Sequence, residues 1–171
     1  MTSDEQDRAT QLEVARRIAL DHLTVRQRSE QELRRALAKN GVPADIADEV
    51  VERFGEVGLV DDASFACTLT ESRSRHSLRG RARIRQELRD KGVDRDTAEE
   101  ALAGLDPDEE RAAALELARR KWRALSSLEP HVARRRLAGV LARRGFPMSL
   151  VTSVVTTVAG EDPVEFSTGE Q

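Results

Sequence analysis

Apolar residues recur at a helical spacing in three stretches of the chain, each of which follows a glycine. Within a stretch they occupy positions i, i+1, i+4, i+5 and i+8, which lie on one face of an α-helix, and Thr97 is the one polar residue in this set. The glycines are 51 and then 53 residues apart, so the pattern predicts three copies of one helical unit. The stretches are residues 46–54, 97–105 and 150–158, after Gly41, Gly92 and Gly145.

Each of these glycines also has the neighbours of a glycine that ends a helix. A leucine lies four residues before it, and an apolar residue follows it directly. When a glycine in the left-handed conformation ends a helix, these two side chains pack against each other. The predicted pairs are Leu37 with Val42, Leu88 with Val93, and Leu141 with Phe146.

A third helix is predicted at the start of each unit. Apolar residues lie 27 and 23 residues before each glycine, at Val14 and Ile18, Phe65 and Leu69, and Ala118 and Trp122. We therefore predict an all-α fold of three tandem three-helix repeats that form an elongated curved array. The predicted repeats are residues 14–58, 59–105 and 106–160, between a flexible acidic tail at residues 1–13 and a flexible tail at residues 161–171.

The last predicted helix has the composition of a β-strand. Residues 151–158 read VTSVVTTV, and β-branched residues of this kind favour strands. Their register after Gly145 matches the helical stretches of the first two repeats. The position in the repeat therefore predicts a helix.

The composition limits both the fold and the chemistry. Aromatic residues make up only 3% of the chain, so the large core side chains of a β-sandwich or barrel are scarce. Cys67 is the only cysteine, which excludes an intramolecular disulfide and a cysteine-based zinc site, and we expect its side chain to be buried. The sequence has no apolar run at its start and no stretch long enough to span a membrane, so we expect a cytoplasmic protein.

The sequence contains no recognisable catalytic constellation. Phosphate-loop, dinucleotide-binding and nucleophile-elbow motifs do not occur in it. His22, His76 and His131 lie at unmatched repeat positions, which is typical of surface histidines rather than of metal ligands. We expect a protein that is not an enzyme and that binds no cofactor or metal.

The net charge of −3 conceals alternating charged blocks, two of which are strongly basic. Residues 73–95 carry a formal charge of +6, and residues 117–144 carry +8. The candidate binding residues of the first block are Arg79, Arg81, Arg83, Arg85, Arg89 and Lys91.

Two arginines of the first block lie at the predicted start of a helix. Arg81 and Arg83 take the places of Glu30 and Glu32 in the first repeat, and cations there oppose the helix dipole by about 0.3–1 kcal/mol each. We therefore expect that replacing both by glutamate leaves the fold intact. Exposed N–H groups and clustered guanidinium groups predict a site for phosphates or for carboxylates of a partner, with a merely solvated helix face as the alternative.

The second basic block has a stronger structural explanation, because cations near the end of a helix are favourable in any case. Few aromatic residues accompany its arginines, so contacts with a phosphate backbone or an acidic protein are expected rather than stacking on bases. Its candidate binding residues are Arg134, Arg135, Arg136, Arg143 and Arg144.

Four segments of the sequence resemble the RecX family of bacterial recombination regulators. They are LVDDASFA at residues 59–66, RGRARIRQELRDKGV at 79–93, ARRKW at 118–122 and LARRGF at 141–146. The similarity extends over roughly residues 14–158, in order. It implies a cytoplasmic protein of tandem three-helix repeats that binds the RecA recombinase in homologous recombination and DNA repair.

The resemblance further implies that the chain lies in the helical groove of the RecA–DNA filament and restrains its ATPase and strand exchange. Direct contacts with DNA phosphates and a monomeric state are also expected. Two other functions stay open at this point. One is a helical DNA-binding module that acts alone, and the other is a helical-repeat adaptor between proteins.

Overall fold

The computed structural model describes residues 3–161, and within that range it contains nine α-helices and no β-strand. The all-α fold of three three-helix repeats is confirmed. The last helix also confirms that the β-branched stretch 151–158 is helical. In chain order the helices are α1 (Ser3–Val25), α2 (Glu30–Lys39), α3 (Ala44–Glu56), α4 (Asp62–Arg75), α5 (Arg81–Asp90), α6 (Arg95–Ala103), α7 (Pro107–Trp122), α8 (Pro130–Arg143) and α9 (Met148–Glu161).

The three repeat glycines end helices in the predicted way. Gly41, Gly92 and Gly145 have φ angles of 77°, 80° and 90°, which is the left-handed region. In each case the residue after the glycine donates a backbone hydrogen bond to the leucine five residues before it, with N···O distances of 3.1, 3.1 and 3.3 Å. This is the bond of the predicted helix-ending motif, which is confirmed at all three positions.

The first helix begins earlier than the repeat boundary predicted at residue 14. Residues 3–13, for which the sequence suggests a flexible tail, form the first turns of α1. Arg8 in these turns donates to Asp45 at 2.8 Å and to Glu49 at 2.6 Å, both on α3. These ion pairs hold the start of α1 against α3. Residues 162–171, which make up most of the predicted C-terminal tail, lie outside the described residues.

The chain folds into two compact units, and we describe each by itself. The N-unit contains the chain up to Leu69 together with Gln86–Gly104, and the C-unit contains Thr70–Arg85 together with the chain from Leu105 onward. The second repeat therefore supplies residues to both units.

Helices α1, α2 and α3 enclose the core of the N-unit. Helix α1 contributes Ala15 and Ala19, which have no exposed surface, whereas Val14 is 52% exposed. Ile18 packs at the edge of this core. The largest fully buried side chains of the unit include Leu33, Leu37, Ile46, Val50 and Val51.

Helices α7, α8 and α9 enclose the core of the C-unit, to which Leu78 is added from the segment before α5. Leu78 has a φ of 48°, the only positive value at a non-glycine residue in the described range. A leucine in this region is strained, and its 5% exposure shows that core packing holds it there. The buried core side chains include Ala118, Trp122, Leu137, Leu141, Phe146, Val151 and Val154.

Cys67 does not behave as the sequence suggests. Its side chain is exposed, although Phe65 and Ala66 on the same helix are buried. Two residues along a helix correspond to a rotation of about 200°, so Cys67 lies away from the face that Phe65 buries. The expectation of a buried cysteine is wrong.

Candidate anion-binding groove

The first turn of α5 lies directly against the glycine that ends α8. The N–H of Gly80 donates to the carbonyl of Arg144 at 2.9 Å, and the N–H of Ala82 donates to the carbonyl of Gly145 at 3.2 Å. A Cβ atom on Gly80 would lie 2.4 Å from the Gly145 oxygen, and a Cβ on Gly145 would lie 2.3 Å from the backbone nitrogen of Arg83. Only two glycines allow the backbones to approach this closely. We call this contact the C-joint.

The C-joint brings together cations from the two basic blocks of the sequence. They line a groove of about 620 Å³, which we call the cationic groove. Six residues line the groove, and none of them is acidic. Val140 is the only one of the six without a positive charge. The basic lining residues are Arg79, Arg83, Lys121, Arg143 and Arg144.

The groove residues differ in how firmly they are held. Arg144 is half-buried, and its guanidinium donates to the carbonyl of Ser77 at 3.0 Å. Arg83, Lys121 and Arg143 are exposed. Within residues 3–161, none of these four cations forms an ion pair with a carboxylate. An anion from outside would therefore meet cations that no acidic side chain of the described range neutralises.

The N–H groups at the start of α5 are not available to such an anion. Arg81 donates its N–H to Glu110 at 3.0 Å, and Ala82 donates to Gly145. The next two N–H groups both reach the carbonyl of Gly80, at 3.1 and 3.2 Å. The expectation of exposed N–H groups is therefore wrong, and binding in the groove depends on side chains.

Arg81 is occupied by a partner within its own unit. Its guanidinium donates twice to one oxygen of Glu110, at 2.9 and 2.7 Å, and the Glu110 side chain is only 4% exposed. Glu110 thus supplies the acid that the start of α5 lacks in its own sequence. This ion pair argues against the expectation that Arg81 and Arg83 can both be replaced by glutamate with the fold intact, because a carboxylate at position 81 would face the buried Glu110.

The N-unit contains a contact of the same type between α2 and the glycine that ends α5. Ser29 donates its hydroxyl to the carbonyl of Lys91 at 2.6 Å, and a Cβ on Gly92 would lie 2.3 Å from the Cβ of Gln31. Glu32 accepts a salt bridge from Lys91 at 2.8 Å. We call this contact the N-joint.

Glu32 is the electrostatic centre of the N-joint. It also accepts hydrogen bonds from Arg26 at 2.9 Å and from the backbone N–H of Ser29 at 3.3 Å, which completes a capping box. Burial has the largest single effect on the pKa of Glu32, and it raises this pKa because it favours the neutral acid. The hydrogen bonds from Arg26, Lys91 and Ser29 together outweigh it and lower the pKa of Glu32 to about 2. Lys91, a predicted binding residue, is therefore engaged in an ion pair.

The remaining predicted binding residues do not line the cationic groove. Arg85 is half-buried and Arg89 is exposed on α5, and Arg134, Arg135 and Arg136 are exposed near the start of α8. Lys121 is the groove residue that the predicted set omits. In the sequence, the only indication that Lys121 could bind an anion is its place in the basic block of residues 117–144. The sequence does not show which residues of α7 face α5 and α8.

Other kinds of site find no support in the described range. Within residues 3–161 no group of three or more His, Cys, Asp or Glu side chains is placed to hold a metal ion. Of the helices in that range, none combines the length and the hydropathy that crossing a membrane requires.

Comparison with protein families assigns all three repeats. Residues 15–54 match the model of the RecX first three-helix domain, residues 61–102 match the second, and residues 108–155 match the third. The "Regulatory protein RecX" of Mycolicibacterium vanbaalenii is 43% identical over 164 residues, which cover 91% of this chain and 89% of the relative. The protein of the same name from Thermobifida fusca is 42% identical over 153 residues, covering 88% and 82%.

Solved structures agree with this assignment at the level of the fold. The crystal structure of RecX from Lactobacillus salivarius superposes with a TM-score of 0.79 at 19% identity, covering 88% of this chain and 97% of that one. A second crystal structure of a regulatory protein RecX gives a TM-score of 0.81 at 22% identity, covering 90% and 78%. With three successive domain models matched and relatives above 40% identity over most of the chain, this protein belongs to the RecX family of regulatory proteins.

Proposed function

We propose that this chain binds the RecA recombinase and the groove of its DNA filament, and that it inhibits the filament's ATPase and strand exchange. The observation that carries the proposal is the cationic groove, with five basic lining residues, in a chain of the RecX family. The chain acts as a cytoplasmic monomer in recombination and DNA repair, and it is a regulator rather than an enzyme.

The chemistry of the groove suits a partner with regularly spaced negative charge. Four of the five cations are arginines, whose planar guanidinium groups match phosphate and carboxylate oxygens. No aromatic side chain lines the groove, so it is suited to a backbone and not to stacking on bases. Binding would therefore be insensitive to DNA sequence, as a regulator of a filament on arbitrary DNA requires.

ATP turnover belongs to the partner in this proposal. The sequence contains no phosphate-loop motif. The effect on turnover therefore passes through the conformation or the assembly of the filament. Contacts at more than one point of the filament would reinforce one another through effective concentration, so each individual contact can be modest.

The test is inhibition of filament ATPase by Arg143→Glu, with Lys39→Glu as the matched control. Lys39 precedes Gly41 by two residues, as Arg143 precedes Gly145, and both are exposed at the end of the second helix of a repeat. Arg143 lines the cationic groove, whereas Lys39 does not. We expect Arg143→Glu to raise the concentration for half-inhibition at least about tenfold, the size of one lost charge-assisted contact, and Lys39→Glu to leave it nearly unchanged.

Equal potency of Arg143→Glu and wild type would remove the groove from the proposal. Tight binding to DNA without recombinase, combined with no effect on the filament, would instead favour a DNA-binding module that acts alone. Indifference to both DNA and recombinase would favour a protein adaptor.

A further inference from the structure

The N-joint and the C-joint are the same contact made in successive repeats. In each, the start of a repeat's second helix rests on the glycine that ends the second helix of the next repeat, and a hydrogen bond reaches the carbonyl just before that glycine. The equivalent positions are Ser29 and Gly80, Glu32 and Arg83, Lys91 and Arg144, and Gly92 and Gly145.

The charges at these equivalent positions are opposite in one joint and alike in the other. In the N-joint, Glu32 pairs with Lys91 at 2.8 Å and closes the contact from within the chain. In the C-joint the same two positions are occupied by Arg83 and Arg144, so two cations lie where the N-joint has an ion pair. Lys121 and Arg143 add further positive charge at the same place. The backbone contact is alike in the two joints, but within residues 3–161 no carboxylate has in the C-joint the position that Glu32 has in the N-joint, since Glu110 pairs with Arg81 instead.

We propose that the C-joint is completed by a phosphate group of a nucleic-acid backbone, which takes the place that Glu32 has in the N-joint. The inference rests on the proposed function, because the filament supplies the nucleic acid, and it names the ligand of the cationic groove. Binding would close the joint between α5 and α8 as Glu32 and Lys91 close the N-joint. The groove thus links binding of the backbone to the stability of the C-unit.

A nucleic-acid backbone fits this groove better than an acidic peptide. One carboxylate suffices in the N-joint, where two cations face Glu32, but five cations line the cationic groove. A phosphodiester strand brings a charge about every 3.4 Å of helix rise, so one short stretch supplies several anions. A peptide partner would also need an apolar anchor, and Val140 is the only apolar lining residue.

The decisive variant is Arg83→Glu, which restores in the C-joint the charge pattern of the N-joint. We expect its affinity for a fluorescein-labelled 20-nucleotide oligothymidylate to fall at least about tenfold, because the added carboxylate occupies the groove in place of phosphate. In the absence of oligonucleotide at low salt, its Tm should exceed that of the wild type by a few degrees. Arg83→Ala should lose affinity as well but gain less Tm, because it removes repulsion without adding an ion pair.

Arg95→Glu is the matched control. Arg95 is exposed in the first turn of α6, so this change also puts an acid at the start of a helix, but outside the groove. Any stabilisation through the helix dipole alone would appear in Arg95→Glu too. We expect Arg95→Glu to keep the oligonucleotide affinity of the wild type.

The outcomes separate this inference from the proposed function. Unchanged oligonucleotide affinity in Arg83→Glu, with helical circular dichroism retained, would overturn the inference, and so would loss of affinity in Arg83→Glu and Arg95→Glu alike. If polyglutamate binds through Arg83 and the oligonucleotide does not, the joint takes an acidic peptide and the phosphate assignment is wrong. If Arg83-dependent binding of the oligonucleotide is found but the wild type does not bind the recombinase filament, the inference stands and the proposed function fails.

Discussion

At the scale of single residues, the same helix position has opposite roles in two repeats. Glu32 is the third residue of α2 and accepts hydrogen bonds from three donors. Arg83 is the third residue of α5 and lines a groove together with other cations. The start of α5 is instead served by Glu110 from α7. The acid needed at the helix start is thus local in one repeat and distant in the other, which explains why α5 tolerates arginine in its first turn.

The low pKa of Glu32 makes a prediction about pH. The folded-state pKa of about 2 lies below the usual value of 4.5, so ionised Glu32 stabilises the fold above about pH 4.5, and this stabilisation is lost as the pH falls toward 2. We expect wild type to be more stable than Glu32→Gln at pH 7 and the difference to shrink at pH 3. Urea unfolding of both proteins at the two pH values measures it. A difference that is the same at pH 3 and pH 7 would contradict the role given to the carboxylate.

Residue-level prediction from the sequence fails where one step along a helix matters. Cys67 was expected to be buried, but it lies on the exposed side of α4, whereas the neighbouring Ala66 is buried. A shift of one residue rotates a side chain by about 100°, and alanines give a weak apolar signal to fix the phase. Strong signals such as Leu37 and Leu88 fix the phase correctly, and both are fully buried.

At the scale of helices, the repeat glycines serve two purposes. Each ends a helix in the left-handed conformation, and Gly92 and Gly145 also provide a surface on which another helix starts. The first purpose was predictable, because it depends on residues within five positions of one another. The second was not predictable, because Gly80 and Gly145 meet through backbone atoms, and such contacts leave no periodic pattern in the sequence.

Alanine substitution separates these two purposes. Gly41 and Gly145 both have positive φ, but a Cβ on Gly41 has nothing within 4 Å, whereas one on Gly145 lies 2.3 Å from the Arg83 nitrogen. Gly41→Ala should cost about 1–2 kcal/mol, the strain of the left-handed conformation alone. Gly145→Ala should cost clearly more, because α5 must move away from α8, and it should also weaken binding of the oligonucleotide.

Thermal unfolding and oligonucleotide titration of the two alanine variants provide the measurement. Equal loss of stability in both would mean that the C-joint contributes nothing beyond the helix end. Unchanged oligonucleotide affinity in Gly145→Ala would mean that the groove does not depend on the joint.

At the scale of the whole molecule, folding concentrates charge that the sequence distributes. The chain has a net charge of −3, yet five basic residues and no acidic residue line one groove of the C-unit. Arg79 and Arg83 come from the first basic block and Lys121, Arg143 and Arg144 from the second. The sequence identified both blocks as candidates but could not join them, since the joining contacts are tertiary. The sequence therefore indicated the positive charge of the candidate groove, but not which residues line it.

Salt dependence tests whether this local charge, and not the net charge, governs binding. Each phosphate that a cation neutralises on a single strand contributes about −0.7 to the slope of log affinity against log salt concentration. We expect a negative slope for wild type with the oligothymidylate, and a slope shallower by about 0.7 for Arg143→Ala. Lys39→Ala changes the net charge by the same amount but lies outside the groove, so its slope should equal that of the wild type. If the two variants alter the slope equally, the effect comes from overall charge, and the cationic groove is not where the phosphates bind.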